Sequence, residues 1–233
     1  MILSANQPYF SPYPGFFYKA RLADTLVLLD TVQFPRGFTW LTRNRFKNHL
    51  GTLWMSIPVW RKGLGFQGID SVRIYWEGRW RRKYLASLET AYGNAPYYRD
   101  HQTFLERIFS GEFEKLIDLN LTIIRYLLEY FHCTTELVLL SELGIDAKGD
   151  SLLIQICKKM GASRFMAQSA SKKYLDVETI RDAGIHLDFI PPPTPVYPQL
   201  WGDFIPNLSA LDLALNCGPK AGDILMAEER AIG

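Results

Sequence analysis

Cysteine is scarce in this 233-residue chain: Cys133, Cys157 and Cys217 are the whole complement. Three scattered thiols exclude a disulfide framework and the ligand spacing of a zinc site. In apolar surroundings they read as small buried hydrophobes, which suits a reducing compartment. Charge of one sign is also lacking. Twenty-six Lys and Arg face 24 Asp and Glu, for a net charge of +2, so no global field draws the chain to nucleic acid. Met1-Ile2-Leu3 has no basic leader ahead of a sustained apolar run, and no segment reaches bilayer length. A soluble cytoplasmic protein with no membrane span is expected. Several catalytic signatures are missing too: the Gly-x-Ser-x-Gly elbow, the phosphate loop ending in Gly-Lys-Ser/Thr, and Gly-x-Gly-x-x-Gly. His132 and Cys133 are sequence neighbours, so on a helix they diverge. Any catalysis falls to carboxylates, lysine and tyrosine.

What is present is ordinary globular material, 48% hydrophobic and 21% charged, long enough for one large domain. Its most distinctive segment is the loop Gln7–Phe17, in which three prolines and Gly15 stiffen a run of aromatic and amide side chains. The loop follows a short apolar strand, Ile2–Ala5, and precedes a helix over Phe16–Ala23. Open α/β sheets bind ligands at such a place, the carboxyl end of a first strand.

Apolar runs and helical patterns alternate along the rest. Leu26–Asp30 and Leu53–Val59 read as buried strands, and Ile69–Trp76 as another with Val72, Ile74 and Trp76 on one face. Helical patterns follow over Trp80–Tyr92, Tyr98–Phe109 and Phe113–Phe131, forming a helical insertion or cap at about 77–132. Glu136–Leu140, Arg164–Ala167 and His186–Ile190 resume the strands. Between them lie a helix capped by Asp150-Ser151 and stopped at Gly161, and a short helix capped by Asp176. A helix over Ser209–Leu215 follows, with Asp212 resembling a capping-box acid, and the tail after 218 reads as loosely packed. The expectation is a single α/β domain over 1–233 with a mainly parallel, doubly wound sheet. The loop after the first strand, Asp30 and the segment 168–174 then share one sheet edge.

Candidate site residues fall into four groups. Asn6, Gln7, Tyr9 and Tyr13 belong to the first loop. Asp30, Gln33, Arg43, Asn44 and Arg45 follow the second strand; two arginines around an asparagine suit bidentate recognition of phosphate or carboxylate, while Asp30 pairing with one of them to fix the loops is the structural alternative. Ser171, Lys172 and Tyr174 offer a hydroxyl, a cation and a ring. Tyr197, Gln199 and Asp203 offer groups to a hydroxyl-rich ligand. Arg61, Lys62, Arg79, Arg81, Arg82 and Lys83, interleaved with Trp60, Trp76 and Trp80, form a local basic-aromatic stretch. It reads either as a polyanion patch or as a solvated face with tryptophan anchors.

The ordered series Gln7-Pro8-x-Phe10-x-Pro12-x-x-Gly15-x-x-x-Lys19, Ala23-Asp24 and Leu29-Asp30-x-Val32-Gln33-Phe34 resembles the WbqC-like proteins. So do Arg43-Asn44-Arg45, Pro58-Val59, Ala95-Pro96-Tyr97, Tyr174-Leu175-Asp176 and Phe204-x-Pro206-x-Leu208-Ser209. The resemblance implies a bacterial protein associated with O-antigen and other surface polysaccharides, with no settled reaction. One departure is Gln168-Ser169-Ala170-Ser171-Lys172-Lys173, where family members carry glycines that let a backbone approach a ligand. A weaker resemblance, to nucleotidyltransferase-type α/β proteins, lacks their first-loop histidine. Family context together with the crevice of aromatic, amide and arginine groups suggests acyl or aminoacyl transfer to a nucleotide-linked amino sugar, with Asp30 as base or orienter, Gln7 as carbonyl donor and Arg43 and Arg45 as phosphate clamps. A non-catalytic nucleotide-sugar or glycan binding module is the alternative. No cofactor, metal or oligomeric state is indicated.

Overall fold

The computed structural model describes residues 1–191 and 193–227. Five parallel strands form its main sheet: β1 (Ile2–Asn6), β2 (Thr25–Leu28), β5 (Glu136–Leu139), β6 (Arg164–Gln168) and β7 (His186–Ile190). Their order is β5-β2-β1-β6-β7. The chain therefore winds outward from β1 through β2 to β5, returns to β6 on the other side of β1, and ends at β7. The reversal between β1 and β6 is the switch point of a doubly wound α/β sheet.

Burial on both faces explains the apolar strands. Leu26, Val27 and Leu28 are fully buried, with Leu26 and Leu28 in one core and Val27 in the other. The second core holds α5 (Leu140–Leu143), α6 (Gly149–Met160) and α7 (Val177–Asp182) against the sheet. On the first face lie α1 (Pro14–Arg21), α2 (Trp80–Tyr92), α3 (Tyr98–Ile108), α4 (Leu116–Tyr130), α8 (Ala210–Cys217) and α9 (Ala221–Met226). Pro14 opens α1, where a missing N–H costs nothing. Leu116, Ile124 and Leu127 give α4 its buried stripe. Among the described residues, no helix is long and apolar enough to cross a membrane.

Several sequence expectations are corrected. Leu53–Val59 is not a covered central strand. Gly51–Ser56 is β4, paired antiparallel with β3 (Arg43–Asn48) in a separate hairpin, and it alternates exposed Thr52 and Trp54 with buried Met55. Ile69–Trp76 joins no sheet: Ile69–Ser71 is a 3-10 turn, and beyond it Arg73 and Ile74 make isolated bridges to Lys115 and Val59. Gly149 begins α6 without a side-chain cap, so Asp150 and Ser151 lie inside its first turn. Asp176 does cap α7, accepting from the N–H groups of Glu178 and Thr179. The tail is firmer than expected as far as it is described. In α9, Ala221 and Leu225 are fully buried, and Arg21 Nη1 donates to the carbonyls of Phe131 and Gly222. Residues 228–233 lie outside the described residues.

Candidate functional site

Parallel strands deliver their following loops to one edge, and at the β1/β6 switch point that edge opens into a cleft of about 350 Å³. Tyr9 and Tyr13 enter it from the first loop, Gln168 and Ala170 from the end of β6, and Asn44 and Arg45 from β3. Trp40 and Asn207 complete the wall. The first loop and the 168–174 segment thus converge across β1 and β6, though they are 155 residues apart at the Tyr13–Gln168 contact.

Buried asparagines hold the first loop in place. Asn44 Nδ2 donates to the carbonyls of Phe10 (3.1 Å) and Ser11 (2.6 Å), and its Oδ1 accepts from the N–H of Arg45 at 2.8 Å. Asn120 Nδ2, from α4, donates to the carbonyls of Pro8 (2.8 Å) and Leu41 (2.9 Å). Ser11 sits at φ 45° and shares a 2.6 Å hydroxyl contact with Ser209, the N-cap of α8. Beneath the loop, Lys19 is buried and donates to the Ala5 carbonyl (2.8 Å) and to Asn6 Oδ1. Burial lowers its pKa to about 7.

Two phenols and one guanidinium dominate the chemistry of the cleft. Gln168 Nε2 donates to Tyr13 Oη, and burial pushes the Tyr13 pKa up to about 12 despite that bond. Burial raises Tyr9 as well. Both therefore remain protonated donors at neutral pH. Arg45 Nη2 donates to the carbonyls of Pro206 (3.2 Å) and Asn207 (2.8 Å), whereas among the described residues its Nε is buried without a partner, as is Asn207 Oδ1. An unpaired buried polar atom on a residue of the cleft wall calls for a further partner, such as an ordered water or a ligand.

Other candidates are engaged elsewhere. Asp30 Oδ1 and Oδ2 accept from the backbone N–H (2.9 Å) and hydroxyl (2.6 Å) of Ser141, so Asp30 ties the segment after β2 to α5, and among the described residues it pairs with no arginine. Gln33 is exposed and lines a separate hollow beside Ser141 and Lys148. Gln7 and Asn6 are partly buried and lie outside the wall of the cleft. Arg43 lies with its Cζ 4.4 Å from the Phe38 ring centre and 3.9 Å from that of Trp54. Ser171 is part of a 3-10 turn, Lys172 is exposed, and Tyr174 is 75% exposed. None of the three walls the cleft.

The 197–212 cluster is structural in its hydrogen bonding. Tyr92 and Tyr197 donate to the two oxygens of buried Asp212 at 2.7 and 2.8 Å. Asp212 is therefore no capping-box acid, and burial raises its pKa. Lys47 Nζ donates to Gln199 Oε1 (3.1 Å) and to the Asp203 carbonyl (2.6 Å). Burial also pushes all three thiols up to about 11, so none is a ready nucleophile. Among the described residues, no group of three or more His, Cys, Asp or Glu is placed to hold a metal ion.

Gln168, Ala170, Asn207 and Trp40 are cleft residues that sequence reasoning did not select. A polar residue closing a strand beside the first loop was the available signal for Gln168. Asn207 stands at φ 55°, a conformation asparagine tolerates, just before the Ser209 cap.

No solved structure matches the chain. The uncharacterized protein Rv1507c of Mycobacterium tuberculosis (strain ATCC 25618 / H37Rv) is 26% identical over 222 residues, covering 94% of this chain and 95% of that one. The pattern of the WbqC-like protein family matches residues 7–224, from the first loop through the cleft to α9, and the chain belongs to that family.

Proposed function

We propose that the cleft binds a nucleotide-linked amino sugar and supports transfer of an acyl or aminoacyl group to it, in bacterial surface-glycan biosynthesis. The observation that carries this reading is the Tyr13–Gln168 pair. Because Gln168 Nε2 donates to Tyr13 Oη, the phenol proton stays available for another acceptor. With its pKa near 12, that phenol is a donor rather than a base. Attack of a neutral amine on an acyl carbonyl builds negative charge on the carbonyl oxygen, and a fixed donor facing that oxygen stabilises it. The new C–N bond forms, the bond from carbonyl carbon to the carrier oxygen or sulfur breaks, and the amine proton leaves with the carrier.

Arg45 and Asn207 give the reading its ligand. The unpaired Arg45 Nε suits a phosphate or carboxylate oxygen, and the unpaired Asn207 Oδ1 suits a sugar hydroxyl. Asp30 has no part in this scheme, since Ser141 occupies both of its oxygens. That engagement favours the second reading, a non-catalytic binding module for the same ligand class.

A thermal-shift panel of nucleotides, sugar nucleotides, acyl-carrier thioesters and amino acids tests the binding step. Sugar nucleotides are expected to raise the melting temperature, and Arg45→Ala to remove that rise. Tyr13→Phe is expected to keep the rise and abolish acyl transfer. A panel without any shift overturns the binding reading. A shift without turnover on any acyl donor leaves the binding module in its place.

A further inference from the structure

We propose that the face built from residues 34–66 is a docking surface for an anionic membrane, seating the protein at the bilayer with the cleft beside the interface. This stands independently of what the cleft binds. Between Thr31 and Ile69 the chain contains no Asp or Glu but six Lys or Arg. The same stretch contains seven of the exposed large hydrophobic residues. Lys47 is buried and Arg45 lines the cleft, whereas Arg36, Arg43 and Arg61 lie among Phe38, Trp54 and Phe66 on one surface.

Contacts trace its continuity. Phe38, Trp40 and Trp54 interlock with ring centres 5.2 to 5.9 Å apart. Arg43 lies over Phe38 and Trp54. The next loop joins through Arg36, whose Cζ is 4.0 Å from the Phe66 ring centre. Arg61 Nη1 then donates to the carbonyls of Arg36 (2.8 Å) and Gly37 (3.2 Å). Trp40 belongs both to this surface and to the wall of the cleft.

The chemistry separates a bilayer from other polyanions. Phe38 and Phe66 are 55% and 66% exposed, and Leu64, an aliphatic residue, is 49% exposed. Side chains of this kind enter the acyl boundary, while tryptophans sit at headgroup level. Single-stranded nucleic acid instead needs open ring faces for stacking, and here guanidinium groups already lie over Phe38, Trp54 and Phe66. Among the described residues, Arg36, Arg43, Arg61 and Lys62 form no ion pair with a carboxylate. Their charge is free to meet anionic headgroups.

Sedimentation with phosphatidylcholine vesicles, with and without phosphatidylglycerol, tests the assignment. The protein should pellet with the anionic vesicles at low salt, and release as salt rises. Arg36→Gln with Lys62→Gln should weaken binding on the order of twenty-fold, about five-fold per cation. Leu64→Ser with Phe66→Ser should weaken it on the order of ten-fold or more. These side chains are exposed, so unchanged melting temperatures establish that the variants fold. Equal binding to neutral vesicles, no binding to anionic ones, or undiminished binding by folded variants overturns the proposal. Competition by soluble glycerol phosphate, or preferential capture of a single-stranded oligonucleotide, overturns it as well.

Discussion

Asn44 is the point where the rigidity of the first loop can be measured. It is 2% exposed, and its amide makes three hydrogen bonds: two donated to the Phe10 and Ser11 carbonyls and one accepted from the Arg45 N–H. Each buried hydrogen bond contributes about 1 kcal/mol net, and each group left unpaired costs more. Asn44→Ala should therefore lower unfolding stability by about 3 kcal/mol, or about 6–12 °C in melting temperature for a chain of this size. Asn44→Asp keeps the shape but replaces the two N–H donors of Nδ2 by one acceptor oxygen facing carbonyl oxygens 2.6 and 3.1 Å away. Its cost should exceed that of the alanine variant at pH 8. The introduced carboxyl favours its protonated form in the fold, where it can donate once. The folded state then binds more protons than the unfolded one, so stability falls as pH rises above about 4. The deficit relative to wild type should be smaller at pH 5 than at pH 8. Urea unfolding followed by tryptophan fluorescence at both pH values measures it. An aspartate variant as stable as wild type at pH 8 refutes the idea that Asn44 staples the loop.

Three further substitutions separate structural from chemical roles. Ser141→Ala should cost about 1–2 kcal/mol by urea unfolding and leave ligand-induced thermal shifts unchanged; loss of ligand response at intact stability would instead put Asp30 in the site. Tyr92→Phe and Tyr197→Phe should each destabilise, because each phenol donates to an oxygen of buried Asp212; unchanged denaturant midpoints in both variants would break the network reading. Lys19 has a folded pKa near 7, below its unfolded value of 10.5. Between those values the unfolded state binds more protons, so stability should rise with pH by up to ~1.4 kcal/mol per unit. Unfolding curves at pH 7 to 10 should show this slope in the wild type and not in Lys19→Met; parallel slopes would refute it.

The parallel strands were legible because burial on both faces demands continuous apolar runs, and Leu26–Leu28 meets that demand directly. The same logic fails for Leu53–Val59. An apolar run in a hairpin with one wet face looks alike in composition, and only the exposed Thr52 and Trp54 against buried Met55 reveal the alternation. Strand β3 was invisible for a different reason. Its side chains are Arg43, Asn44, Arg45, Phe46, Lys47 and Asn48, and five of the six are polar. Local strand propensity is overridden there by what the residues hold: the aromatic face, the first loop, the 206–207 carbonyls and Gln199. Sequence rules fail where side chains serve a site rather than a core.

The same distinction decides which polar residues belong to the cleft. Asp30, Asp212 and Gln199 are the kinds of residue that enzymes use, and sequence alone ranks them beside Tyr13 and Arg45. What separates them is where their hydrogen-bonding capacity is spent. Asp30 and Asp212 have each carboxylate oxygen filled from within the protein, and Gln199 is filled by Lys47 and the Ile205 backbone. Tyr13 accepts once and keeps its proton, while among the described residues Arg45 has a buried Nε with no partner. Unspent capacity in a buried wall costs stability unless a ligand meets it. Decisive partners come from far along the chain: Ser141 lies 111 residues from Asp30, Tyr92 120 from Asp212 and Gln168 155 from Tyr13. No local pattern encodes them, and only the folded sheet edge brings them together.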